Sequence, residues 1–138
     1  MHLAKLEHYL ILSDDMETTK DFYVDVLGLR VGPRPPFPFP GYWLYLGDQP
    51  CVHLASSAAT RGQKDYLGRD NDGSGTGSID HVAFTAVDVP ATVAHLEAKN
   101  IPMIRRDVPA QQAHQIFIQD PNGTHIELNF KVDENGNG

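Results

Sequence analysis

Leu6-Glu7-His8-Tyr9-Leu10 and, 73 residues further on, Ile79-Asp80-His81-Val82-Ala83 read as two copies of one strand. Each is an apolar, β-prone run with a histidine at its centre, and the same order of elements follows each. After the first strand, Leu3 to Leu12, the cluster Ser13-Asp14-Asp15 supplies helix-capping residues. Met16, Thr19, Phe22, Tyr23, Val26 and Leu27 then recur at helical spacing as far as Gly28, where a left-handed cap is expected. Leu29-Arg30-Val31, Tyr42 to Leu46 and Cys51 to Ala55 read as strands, the last two joined by the turn Gly47-Asp48-Gln49-Pro50. Between the first two lies Gly32 to Gly41, with five prolines, Phe37 and Phe39; it reads as an extended, exposed loop.

After the second copy, Ser78 to Ala86, the order starts over. Val87 to Asn100 reads as a helix entered through Asp88 and Pro90, and Ile101 to Arg105, His114 to Gln119 and Thr124 to Phe130 read as strands. The last two are joined by Asp120-Pro121-Asn122-Gly123, in which Pro and Gly suit a tight turn. Each half is β-α-β-β-β, which makes the fold class α+β. The expected organisation is one domain over residues 1–138: module 1 at 3–55, a Gly, Ser, Asp and Asn-rich linker or flap at 56–78, module 2 at 79–130 and a polar tail at 131–138.

Composition narrows the chemistry. With 138 residues, 41% of them hydrophobic, the chain can bury a sizeable core without disulfides. Its one cysteine, Cys51, rules out a multi-cysteine zinc site and leaves His and carboxylates as the metal ligands. Lys and Arg number 11 against 18 Asp and Glu, a net charge of −7 with no basic stripe, which argues against nucleic-acid binding. No apolar run approaches the roughly 18 residues that span a bilayer, so no membrane partner is expected and a cytoplasmic location is the default.

From His8 to His53 is 45 residues, and from His81 to Glu127 is 46, so four metal-capable groups fall on equivalent strands. Alternation places His53 and Glu127 opposite apolar neighbours, facing a concave sheet interior. A carboxylate there needs a partner, and a divalent cation with imidazole co-ligands supplies one. Imidazoles with one carboxylate suit Fe(II), Mn(II), Ni(II) or Zn(II) and leave positions open for substrate.

These runs, with Lys20-Asp21-Phe22-Tyr23-Val24-Asp25-Val26-Leu27-Gly28-Leu29 and Asp120-Pro121-Asn122-Gly123-Thr124-His125-Ile126-Glu127-Leu128, resemble the vicinal oxygen chelate superfamily, which joins glyoxalases, bleomycin resistance proteins and extradiol dioxygenases. The resemblance covers nearly the whole chain. It implies two βαβββ modules curling a mixed sheet into a cup, one divalent ion per site held by His8, His53, His81 and Glu127, a small-molecule substrate and a homodimer. Fe2+ or Mn2+ ranks ahead of Ni2+ or Zn2+.

Within the family, Glu127 and His53 are the candidate catalytic residues. Glyoxalase I-like enzymes carry a glutamate where this chain has His53, so one of their two carboxylates is missing. Extradiol dioxygenases fit at His8, His81 and Glu127 but place a tyrosine where this chain has Phe117; His114 or His125 is a candidate substitute. Fosfomycin-modifying transferases carry a threonine at the position of Leu10 and rank lower. Ring-cleaving dioxygenase therefore stands slightly ahead of a glyoxalase-type lyase, with a metal-free drug-binding protein as the alternative from another class. For substrate, the expected contacts are Tyr42, Trp43, Phe117 and His114. Tyr42 and Trp43 belong to an aromatic cluster with Phe37, Phe39 and Tyr45, and alternation sends Tyr42 and Trp43 to opposite faces without saying which meets the metal. Arg34 beside the proline run is a candidate for an anionic group, and Cys51 reads as buried filler.

Overall fold

Asp15 Oδ1 accepts the backbone N–H of Thr18 at 3.0 Å and Oδ2 accepts the Thr18 hydroxyl at 2.7 Å, so the helix starts where the capping cluster predicts. This is a computed structural model, and it describes residues 1–2, 4–58, 63, 79 and 81–132. Most of the expected linker and the whole 133–138 stretch lie outside the described residues. By contacts the chain divides into two compact units, Met1–Ser74 and Gly75–Gly138.

In the first unit α1 (Met16–Asp21) gives way to a π-helical segment, Phe22–Val26, so the expected helix is continuous but changes its winding midway. It closes at Gly28, φ +78°, with the Leu29 N–H donating to the Tyr23 carbonyl at 3.0 Å and the Gly28 N–H to the Val24 carbonyl at 3.1 Å. The Gly28–Val24 bond is the αL cap, the Leu29 bond reaches one residue further back across the π-helical turn, and the cap needs the positive φ that glycine adopts without a steric penalty. The strands are β1 (Tyr9–Ser13), β2 (Arg30–Gly32), β3 (Gly41–Leu46) and β4 (Gln49–Ser56), in the order β1-β4-β3-β2. β1 runs parallel to β4, and the other neighbours are antiparallel.

β1 opens at Tyr9, well after Leu3. Its parallel register begins at Tyr9 opposite Val52, and before that β4 offers Pro50, which has no N–H, beside an irregularity in its pairing with β3 between Leu44 and Leu46. The proline loop is also less exposed than expected: Phe39 is buried with Leu12 and Ala55, and Phe37 packs against them. On the other face of the sheet α1 packs against β3 and β4, over a core that includes Ile11, Tyr23, Leu44, Val52 and Leu54.

The second unit repeats the plan. Its strands are β5 (Val82–Ala86), β6 (Ile104–Val108), β7 (Ala113–Gln119) and β8 (His125–Lys131), in the order β5-β8-β7-β6, with β5 parallel to β8. Its helix, α2 (Val89–Ala98), starts at Asp88, whose carboxylate accepts the Ala91 N–H at 3.0 Å. β6 begins three residues later than expected because Asn100 takes φ +55° and Pro102 lacks an N–H, which together hold that stretch out of the ladder. Asp120 builds the turn before β8, its Oδ1 accepting the N–H groups of Asn122 at 2.8 Å and Thr124 at 2.9 Å. Ile116, Ile126 and Phe130 are fully buried and form the centre of this core.

The two halves agree in register as well as in order. Leu10 lies opposite His53 in one sheet and Ala83 opposite Glu127 in the other, so His53 and Glu127 occupy the same place in their sheets. Likewise Trp43 faces His53 across the ladder and Phe117 faces Glu127.

Candidate metal and substrate site

In the first unit His8, immediately before β1, stacks on His53 with centroids 3.8 Å apart and planes 14° from parallel. Trp43 stacks on His53 at 4.2 Å and 10°. Two rings cannot share one face at these distances, so His53 is sandwiched between them. Burial, with a further contribution from the nearby His8, lowers its pKa to about 4, leaving a neutral imidazole at pH 7. Its Nε2 is buried without a hydrogen-bond partner. His8 Nδ1 lies 3.0 Å from Glu7 Oε1, the kind of carboxylate contact that orients a ligating imidazole and leaves Nε2 for the metal.

In the second unit His81 Nε2 lies 3.6 Å from Glu127 Oε1, and Glu127 is 7% exposed. That gap is long for a hydrogen bond. It lies within the span of two donors on one ion with bonds of about 2.0–2.2 Å each. This pair therefore fits a divalent cation. The His8–His53 pair fits less directly: imidazole lone pairs lie in the ring planes, so two nearly parallel stacked rings do not aim at one point until one of them turns. Among the described residues no group of three or more His, Cys, Asp or Glu is arranged to hold a metal ion; each unit presents a pair.

The expected substrate residues separate by face. Trp43 stands with His53, and Phe117 stands with Glu127, its ring 6.0 Å from His81 and edge-on at 88°. Tyr42 turns the other way, toward α1, where its hydroxyl donates to Glu17. His114 also sits on the face opposite Glu127. Its Nε2 accepts from Arg105 Nε at 3.2 Å, so Nδ1 carries the proton that it donates to Asp107 at 2.7 Å. His125 shares the Glu127 face at the strand's start and is exposed, its Nδ1 3.4 Å from the Gln119 amide nitrogen. Cys51 is half-buried, and burial pushes its thiol pKa up, which keeps it protonated and unreactive at neutral pH.

Sequence reasoning missed a polar row beside Glu127. Arg106, Gln115, Asn129 and Thr85 lie side by side across the second sheet, with Arg106 Nε donating to Gln115 Oε1 at 2.7 Å. Alternation could have found part of it, since Asn129 is two residues from Glu127 and Gln115 two from Phe117. In the first unit His8, Arg34, Phe37, Phe39, Trp43 and His53 line a cavity of about 130 Å³, and in the second Phe117 and His125 line a larger one of about 320 Å³ with Met103, Ile104 and Gln119.

The family model described as Glyoxalase/Bleomycin resistance protein/Dioxygenase superfamily matches residues 5–128. The chain is 30% identical over 134 residues to the uncharacterized protein YaeR of Escherichia coli (strain K12), covering 91% of this chain and 95% of the relative. It is 26% identical over 141 residues to a lactoylglutathione lyase of Pseudomonas putida, covering 88% and 82% of the two chains. Among solved structures, the fosfomycin resistance protein FosX of Listeria monocytogenes matches with TM-score 0.67 at 12% identity, over 98% of both chains. A lactoylglutathione lyase of Agrobacterium tumefaciens matches with TM-score 0.64 at 20% identity, over 93% of this chain and 94% of the other. At such identities the structures speak for the fold, whereas the family model spans most of the sequence together with the paired histidine strands and the Glu127 strand. The chain belongs to the Glyoxalase/Bleomycin resistance protein/Dioxygenase superfamily.

Proposed function

We propose that this protein is a divalent-metal-dependent enzyme acting on a small molecule with two adjacent oxygen atoms, and that its reaction is ring-cleaving dioxygenation. The observation that carries the reading is the 3.6 Å approach of His81 Nε2 to Glu127 Oε1, at the sheet position that His8 and His53 occupy in the other unit. His8, His53, His81 and Glu127 are the proposed protein ligands, with Fe2+ or Mn2+ ahead of Ni2+ or Zn2+, in a homodimer. Held by these residues, a divalent ion would supply the positive charge that favours the anionic form of two adjacent substrate oxygens. Around it the chain's own residues orient and enclose. Glu7 holds the His8 ring, Trp43 presents a flat face beside His53, and Phe117 closes the Glu127 side with an apolar edge. His53 and Glu127 are the groups assigned to hold or move a proton at the substrate.

A glyoxalase-type lyase is the second reading, favoured by the relatedness to the Pseudomonas putida lactoylglutathione lyase. Metal analysis of the purified protein, followed by oxygen uptake with catechols and thioester formation from the methylglyoxal–glutathione adduct, decides between them. Oxygen uptake supports the first reading and thioester formation the second. A protein that holds no stoichiometric metal and gains neither activity with Fe(II), Mn(II), Ni(II) or Zn(II) is a binding protein, and both readings then fall.

A further inference from the structure

The cavity in the first unit contains two buried polar atoms that lack a hydrogen-bond partner: Nε2 of His53 and Nε of Arg34. A polar atom left unpaired away from water is costly, and one on each of two residues lining the same small cavity points to an occupant; of the two, the Arg34 N–H is the donor that an anionic group would satisfy. The Arg34 guanidinium is already positioned. Its Nη1 donates to the Phe39 carbonyl at 3.2 Å, and its plane lies over Phe37 at 5.1 Å and Phe39 at 5.3 Å. That leaves the Nε–Nη2 edge, the side-on fork that matches a carboxylate. Gly41 makes room for it: a Cβ there would stand 3.2 Å from Nη2 and 2.4 Å from the Leu54 carbonyl.

From Arg34 a run of aromatic rings leads back to the histidines. Phe39 stacks on Phe37 at 5.4 Å, Phe37 approaches Trp43 at 6.2 Å, and Trp43 stacks on His53 at 4.2 Å. The volume, about 130 Å³, is close to the roughly 150 Å³ apolar cavity that holds a benzene ring. We propose that this cavity binds a flat, single-ring compound bearing a carboxylate, with Arg34 receiving the carboxylate on its Nε–Nη2 edge and Trp43 and Phe37 covering the ring. Arg34 Nε is covered, so binding on this edge requires a neighbouring side chain to shift; Phe37, whose ring lies 5.1 Å from the guanidinium, is half-buried. The inference rests on the proposed function in one respect: it assigns a substrate class to the pocket beside two of the proposed ligands.

Trp43 is the only tryptophan in the chain, so its fluorescence reports this cavity alone. The intact protein, stripped of metal with a chelator, is titrated with benzoate and with its uncharged analogue benzamide. Benzoate is expected to change Trp43 emission saturably and to bind about tenfold or more tightly than benzamide. Arg34→Gln should remove that preference and leave benzamide affinity unchanged, while Arg34→Lys keeps part of it. No Trp43 response to benzoate, equal affinities for the two probes, or an Arg34→Gln variant that still prefers benzoate would each overturn the proposal. So would a preference for benzoate that appears only after Mn(II) is added, because the carboxylate would then be bound by the ion. If Arg34→Gln does not fold, the benzoate-to-benzamide ratios of the unmodified chain and of Arg34→Lys decide the matter in its place. A protein that takes up no metal yet prefers benzoate through Arg34 fails the metal reading and keeps this one.

Discussion

The two units share a backbone plan and differ in what they place on it. Strand order, parallel pairing and register match, so that His53 and Glu127, Trp43 and Phe117, Gly41 and Gln115, and Ala55 and Asn129 are counterparts. In the first unit small residues, Gly41 and Ala55, stand where the second puts Gln115 and Asn129, and a cavity opens beside the histidine stack. In the second unit the same row is filled by polar side chains, and the carboxylate sits next to them. A duplicated frame holds side chains in register while its surface divides the work: one copy sets a pocket beside stacked histidines, the other sets a carboxylate in a polar row.

The largest effect expected from breaking this comparison is at its acidic member. Glu127→Gln is isosteric but removes the charge that compensates a cation, and it should lower turnover by at least about a hundredfold. His53→Ala, its counterpart, should weaken metal binding by only about tenfold, because the stacked ring is the less committed ligand. Both are read by metal titration and by steady-state assay with the substrate that the activity screen identifies. Full activity in Glu127→Gln would remove the asymmetry between the units.

The helix caps offer a smaller contrast. Asp15 caps α1 at φ −137°, while Asp88 caps α2 at φ +68°, in the left-handed region. Asp88→Ala loses the cap while keeping a Cβ in that strained conformation, a cost of about 2 kcal/mol, whereas Asp88→Gly loses the same bond but relieves the strain and should cost only a few tenths. At Asp15, with no strain to relieve, the gap between the Ala and Gly variants should be narrower. Thermal midpoints of the four variants test this, and equal gaps at both sites would contradict it.

The smallest effect concerns a tie that Tyr42 makes and its counterpart Ile116 cannot. The Tyr42 hydroxyl, helped by Lys20, holds the exposed Glu17 carboxyl below its ordinary 4.5, while Tyr42's counterpart Ile116 is fully buried and has no hydroxyl to offer. A carboxyl whose folded pKa is depressed stabilises the fold above its unfolded pKa and loses that contribution as pH falls through the folded value. Tyr42→Phe should therefore lower the urea midpoint slightly at pH 7, and the difference should narrow as the pH drops below 4.5. A difference that stays constant down to pH 3 would rule out this linkage.

Periodicity, capping residues and turn residues were enough to read the β-α-β-β-β order in each half, because they act within a few positions of the chain. Spacing alone put His53 and Glu127 on equivalent strands, since alternation and repeat length are properties of the chain. Boundaries were less legible where a neighbour decides them. The start of β1 depends on Pro50 in β4, and the start of β6 on how Asn100 leaves the helix. Which aromatic side chain meets His53, the occupation of His114 by Arg105 and Asp107, the polar row beside Glu127 and the unpaired Nε of Arg34 were settled only by tertiary structure. All four arise from contacts between strands or loops distant in sequence, and a linear pattern carries no record of which face a given neighbour will cover.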